Sequence, residues 1–226
     1  MINEAALSEK VWVRPPPVVL VGKYCRLEPF ELGHSESFYK NAVNVKDAEN
    51  RYQYLFGAPP KDRALYDQWV QAAINDQGKV RYAVIDLHSD EVLGSQCLMN
   101  IETKHGSIEI GSVLWGPLMA RSRIATEAFY LFSEYVISEL GYRRYEWKCN
   151  NANSASKKAA VRFGFQFEGI FRNHMLIKGV NRDTAWFSII NSEWPELRGS
   201  FEQWLDASNF DSEGRQLRDL KSFRPK

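Results

Sequence analysis

Residues 106–165 constrain the fold of this chain more than any other stretch. They read strand, helix, strand, helix, with a breaker at each junction. "GSIEIGSVLW" (106–115) has strand character and stops at Gly116-Pro117. Ile124, Ala128, Leu131, Phe132, Tyr135 and Val136 then recur at i, i+4, i+7 and i+8 spacing, which predicts an amphipathic helix over 122–140. Gly141 stands where such a helix takes its left-handed stop. "YRRYEWKC" (142–149) alternates as a strand. "NSASKKAAVRF" (153–163) is a short helix with Asn153 as N-cap and Gly164 as stop.

The rest of the chain supplies more of the same kind. "KYCRLEPF" (23–30) alternates as a first strand, and two helical regions follow at 31–43 and 61–76. "VRYAVID" (80–86) and "EVLGSQCLMNI" (91–101) are strands joined by a short polar turn, which suggests antiparallel neighbours. After residue 165 comes a long hairpin around "KGVNRD", to residue 191, and a closing helix at 193–205. The order predicts an α+β, or mixed α/β, chain around one central sheet, without the regular alternation of a doubly wound nucleotide fold. The expected organisation is an extended lead-in over 1–20, where "RPPPVVL" favours polyproline-like backbone, a domain over 21–192, and a C-terminal helix with a loosely held polar tail over 193–226.

The long helix opens unusually, with "MARSRIATEAF". The N-terminal end of a helix is its positive pole and suits acids, yet Arg121 and Arg123 stand there. Two cations at that end are either solvated or waiting for an anion, and free helix-start N–H groups favour phosphate. No GxxxxGK[ST] loop occurs, so a P-loop nucleotide site is not supported. Asn153 and Ser156, one helical turn apart at a strand-to-helix junction, are a second polar candidate.

Composition excludes several classes. In 226 residues the hydrophobic fraction is 44%, the charged fraction 25% and the formal net charge +1, which suits a globular core and disfavours a whole-chain nucleic-acid or membrane binder. The basic stretch 141–182 keeps a polyanion binder open as a third reading, but no nucleic-acid motif accompanies it. Cys25, Cys97 and Cys149 are odd in number and widely spaced, with no zinc-ligand spacing, so neither a disulfide framework nor a metal is expected. The polar "MINEAALSEK" lacks a signal-peptide core, and no apolar run reaches membrane-spanning length. A reduced, soluble, cytoplasmic protein is expected.

Taken in order, "EIG…LWGP…ARSRIATEAF…LGYRRYEWKCNNANSASKKAAVRFGFQFEGIFRNHM…KGVNRDTAWFSII" resembles the GNAT-type N-acetyltransferases, and most of all the branch with the ribosomal-protein N-terminal acetyltransferases. The resemblance covers about residues 20–192. It implies a mixed sheet splayed between the family's fourth and fifth strands, here about 106–115 and 142–149, with acetyl-CoA in the splay. It implies pantetheine pairing with backbone near Val113, Leu114 and Trp115. The pyrophosphate would meet the loop from Ala120 through Arg121, Ser122, Arg123, Ile124 and Ala125, with Thr126 following. Asn153 and Ser156 would contact the cofactor from the next helix.

The implied reaction is acetyl transfer from acetyl-CoA to a primary amine by direct attack. The acceptor would be a protein N-terminus or a small-molecule amine. Glu109 is the candidate general base, since the family often carries an acid on this strand. Many relatives place a tyrosine seven residues after the asparagine to serve the departing thiolate. That position here is Ala160, which leaves Ser156 as the thiol-side candidate. The family's glycine-rich loop is also altered. Aligned on Ala125, the central glycine is Arg123 and a further common glycine is Arg121, so the cofactor would be held more by guanidinium and less by bare backbone. The rival reading is a non-catalytic acyl-CoA-binding or sensing module on the same fold. Tyr52, Tyr54, Phe56, Tyr66 and Trp69, with Trp186 and Phe187, are acceptor-pocket or core aromatics. Self-association as a homodimer is a further expectation.

Overall fold

The computed structural model describes residues 11–224. Its centre is one eight-stranded sheet in the order β1-β2-β3-β4-β5-β6-β8-β7. The strands are β1 (Leu20–Val21), β2 (Cys25–Pro29), β3 (Val80–Asp86), β4 (Val92–Glu102), β5 (Ser107–Trp115), β6 (Arg144–Asn150), β7 (Gln166–Ile177) and β8 (Val180–Ile190). The junction of β5 with β6 is parallel and the other six are antiparallel. Because β1 is an additional two-residue strand across the boundary of the predicted lead-in, the strands expected as fourth and fifth are β5 and β6 here.

Helices cover both faces. α1 (Ser35–Phe38) runs straight into a π-helical turn at Tyr39–Val43; α2 (Ala48–Tyr52) and α3 (Arg63–Ile74) follow. α4 (Arg123–Ser133) widens into π-helical turns at Glu134–Glu139. α5 (Ser154–Phe163) and α6 (Trp194–Trp204) complete the set. The two-residue period of β3 shows why both faces are covered. Tyr82 and Val84 join a core beneath α4, α5 and α6, while Ala83 and Ile85 join a second core with Phe38, Tyr66 and Val70 of α1 and α3.

The first core is aromatic at its centre. The rings of Phe129 on α4 and Phe163 on α5 stack 4.3 Å apart, with Tyr145, Phe165 and Phe201 around Phe129. Glu127, in the second turn of α4, is buried yet satisfied: its carboxylate accepts from the backbone N–H groups of Lys23, Tyr24 and Cys25 at 2.6–2.7 Å. Gly22 allows that approach, since a side chain there would strike the carboxylate.

Both ends of the described chain are held. Trp12 is buried and its indole N–H donates to the Gly141 carbonyl. The Tyr135 and Tyr142 hydroxyls donate to the Pro16 and Val13 carbonyls, each at 2.9 Å. The tail is not loose either: Leu220 is buried, and Arg224 donates to the Arg162 carbonyl at 2.6 Å. Among the described residues no helix is long and apolar enough to cross a membrane.

Candidate active site

The site begins where two strands part. β5 and β6 are paired from Ser107↔Arg144 to Ile110↔Trp147, and no pairing follows. Both strands continue, so the edge of β5 that faces β6 has no strand partner over residues 111–115. A bulge sharpens the break. Cys97 pairs with Gly111 and Ser95 with Leu114, so Ser112 and Val113 both oppose Gln96, and Ser112 takes a left-handed φ of 48°. Gly111 leaves room here for the Met99 sulfur, which a Cβ would displace, and for the Glu109 carboxylate.

A cavity of about 600 Å³ fills the gap. Glu109, Val113, Leu114, Trp115, Ala120, Asn153 and Ser156 all line it. Of the remaining expected site residues, Arg121, Ser122, Arg123, Ile124, Ala125 and Thr126 lie outside that lining, at and after the start of α4. Ser122 is the N-cap; its hydroxyl receives the Ala125 N–H at 3.4 Å and donates to the Met119 carbonyl at 2.6 Å. The first-turn N–H groups of Arg123 and Ile124 can find no partner within their own helix. Arg121 is exposed, with a φ of 64°. It therefore holds a left-handed conformation, the one that glycine adopts without strain. Arg123 turns elsewhere, with its guanidinium 4.2 Å over the Tyr24 ring and 5.7 Å from that of Phe210. Thr126 is buried and receives Arg162 at 3.1 Å.

Glu109 is buried and faces the cavity. Asn100 and Lys148 meet its Oε2 at 2.6 and 2.9 Å, which leaves Oε1 for a partner in the cavity. The parallel register sets Glu109 beside Glu146, and Lys148, two residues along, bridges the two carboxylates with 2.8 Å to Glu146. Burial alone would lower the Lys148 pKa, but the flanking Glu109 and Glu146 outweigh it and hold the ammonium above the usual lysine value. Lys148 also sits 4.1 Å over the Trp186 ring.

Asn153 caps α5, its side-chain oxygen accepting from the Ser156 N–H at 3.0 Å. The Ser156 hydroxyl accepts from the Trp147 indole N–H at 2.9 Å and lies within hydrogen-bond reach of the Cys149 sulfur. Ala160, at the family's tyrosine position, is fully buried. Cys149 lines the cavity too, but burial pushes its thiol up, away from the reactive thiolate.

Tyr52, Tyr54, Phe56 and Trp69 line the far side of the cavity, whereas Tyr66 and Phe187 are core. The segment after α2 is strapped across the split. The Tyr54 hydroxyl reaches the Ala152 carbonyl at 3.3 Å, and Lys178 at the β7–β8 turn donates to the Tyr52 carbonyl at 2.8 Å. Arg51 takes the Trp115 carbonyl at 2.7 Å. Asn100, Lys148, His174 and Arg182 were not singled out from sequence. Alternation in "YEWKC" was the available signal for Lys148, facing inward with Glu146; the others are brought in by bulges and by the far hairpin.

A mixed sheet parted over such a cavity, with a bulged strand on one side and two helix starts beside it, defines the fold of CoA-dependent acyl transferases. The chain belongs to the GNAT acetyltransferase family: the model of the acetyltransferase (GNAT) domain matches residues 25–166. A GCN5-related N-acetyltransferase from Brucella melitensis is similar over 95% of this chain and 97% of its own, at 48% identity and a TM-score of 0.93. A probable GNAT-family acetyltransferase from Chromobacterium violaceum is similar over 82% and 92%, at 34% identity and a TM-score of 0.76. An uncharacterized N-acetyltransferase, p20, from Bacillus licheniformis is 30% identical over 118 residues, and the match spans 50% of this chain and 64% of that protein.

Proposed function

We propose that the chain transfers an acetyl group from acetyl-CoA to a primary amine by direct attack, with Glu109 as general base and Ser156 as hydrogen-bond donor to the departing sulfur. One observation carries the reading. Glu109 and Ser156, from separate elements, line a single cavity at the point where β5 and β6 part. The residues there suit acetyl-CoA. The unpaired β5 edge over 111–115 offers backbone groups to an amide-bearing arm, and the α4 start offers first-turn N–H groups with Arg121 beside them to a pyrophosphate. When bound, acetyl-CoA supplies the activated acyl thioester.

The proton steps fall to the chain. A protonated amine must lose a proton, and the Glu109 Oε1 is the atom available to take it, directly or through water. Lys148 stays an ammonium and so is not the base. The Ser156 hydroxyl, already accepting from Trp147, turns its hydrogen from the neighbouring Cys149 sulfur to the departing one. A serine is a weak acid, so it acts by hydrogen bonding rather than by full proton transfer. The acceptor is a small amine or a protein N-terminus, the latter supported by the resemblance to the ribosomal-protein branch.

Thiol release across a panel of amines tests the proposal. Turnover is expected, with Glu109→Gln lowering kcat/KM by roughly a hundredfold or more while acetyl-CoA still binds. Cofactor binding without thiol release on any amine, and indifference to Glu109→Gln and Ser156→Ala, would instead establish a non-catalytic acyl-CoA module.

A further inference from the structure

We infer that the acceptor is a small amine that also carries a carboxylate, and that Arg182 receives that carboxylate at the acceptor end of the cavity. The inference rests on the acetyl-transfer reading only for the word acceptor; the anion site stands on its own geometry.

Charge around the cavity is lopsided. Glu109 is the one carboxylate in the lining, and its Oε2 is already committed to Asn100 and Lys148. Several cations share the lining, and most are neutralised. Arg51 pairs with Asp47 at 2.9 Å, Lys79 with Asp76 at 3.6 Å, and Lys148 with Glu109 and Glu146. Arg182 differs. It is 7% exposed, and among the described residues no carboxylate lies within ion-pairing distance of it. Its Nε donates to the Thr184 hydroxyl at 3.2 Å, and the Phe56 ring lies 5.3 Å from the guanidinium carbon. His174 holds the same hydroxyl at 3.0 Å.

Those contacts fix the plane of the guanidinium and use one of its three nitrogens. The two terminal nitrogens remain, in the fork that matches a carboxylate. Burial lowers the Arg182 pKa, and the charge of Glu109, beyond ion-pairing distance, offsets only part of that. Natural chains seldom keep a buried charge unpaired, and a ligand anion is the missing partner.

The position excludes the cofactor's pyrophosphate. Arg182 packs on Phe56, in the segment after α2, and Tyr52 and Leu55 of that region belong to the core on the α3 face. α4 starts on the opposite face, where its side chains enter the other core. A polyamine is disfavoured, since no uncommitted carboxylate other than the Glu109 Oε1 awaits a second ammonium. The strap over the split and a cavity of about 600 Å³ favour a small molecule over an extended chain.

The test is first a binding experiment, so that it does not depend on turnover. N-acetylated amino acids and their C-terminal methylamides, which are reaction products with and without the carboxylate, are titrated into the CoA-saturated protein. The best carboxylate is expected to bind roughly tenfold or more tightly than its methylamide, the range of a charge-assisted hydrogen bond. Arg182→Met should erase that difference, Arg182→Lys should retain part of it, and CoA affinity should not move. Thiol release is then measured with free amino acids, their amides, spermidine and an acidic peptide. Equal binding of acids and amides by the wild-type protein overturns the inference. So does a preference for spermidine, or turnover of the peptide with none of any free amino acid. Selective carboxylate binding without thiol release would leave the anion site standing and remove the acetyl-transfer reading instead.

Discussion

At the scale of single residues, the cavity separates side chains that can move protons from those that only hold position. Cys149 illustrates the second kind. Its thiol is 4% exposed and raised by burial, and Cys25 and Cys97 are fully buried and raised for the same first reason. An acyl-cysteine route is therefore not expected, and Cys149→Ala should keep thiol-release activity to within a small factor. A thiol reagent should find the cysteines unreactive in the folded protein and react with all three after unfolding. Lys148 gives the pH dependence. Its folded pKa lies above the ordinary lysine value of about 10.4, so its ion pairs stabilise fully below that value and are lost as pH rises through the folded pKa. Lys148→Met should cost about 3 kcal/mol in urea unfolding. The gap from wild type should stay constant between about pH 6 and 9 and narrow above about 10.4.

At the scale of elements, the α4 start is the most informative. Gly141, Asn153 and Gly164 announced their helix boundaries because capping is local chemistry that sequence displays. The two arginines of α4 could not be resolved the same way. Arg123 stacks on Tyr24 and Phe210, which lie far from it in the chain, and no local pattern reports such a contact. Arg121, by contrast, holds a backbone conformation suited to glycine, at a position where the family commonly has one. Arg121→Gly should therefore separate two effects. It should raise stability by about 1 kcal/mol through relief of strain. It should also weaken acetyl-CoA binding, and do so more than for a phosphate-free pantetheine thioester, because the guanidinium is gone. Loss of affinity that is equal for both ligands would show that Arg121 does not meet the pyrophosphate. The short α2 went unread for a simpler reason: "AENRY" buries only Tyr52, which leaves no apolar stripe to detect.

At the scale of the molecule, the sheet order follows from segments whose periodicity was plain in sequence, and the split follows from one parallel register that ends at Ile110↔Trp147. What sequence concealed was closure by the ends. A lone tryptophan before three prolines has no period, yet Trp12 packs on Gly106 and bonds the Gly141 carbonyl, tying the lead-in to both sides of the β5–α4–β6 unit. Trp12→Ala should therefore destabilise the whole protein by about 3 to 5 kcal/mol in equilibrium unfolding. A change near zero would mean that the lead-in is an appendage.

The central claim is that amine deprotonation by Glu109 drives acetyl transfer at the parted strands. The most direct measurement is kcat/KM for thiol release by wild type and Glu109→Gln on the best amine found, with acetyl-CoA affinity measured alongside. The account predicts a loss of roughly a hundredfold or more in kcat/KM with affinity unchanged. An undiminished rate, or a loss explained entirely by weaker acetyl-CoA binding, would contradict it.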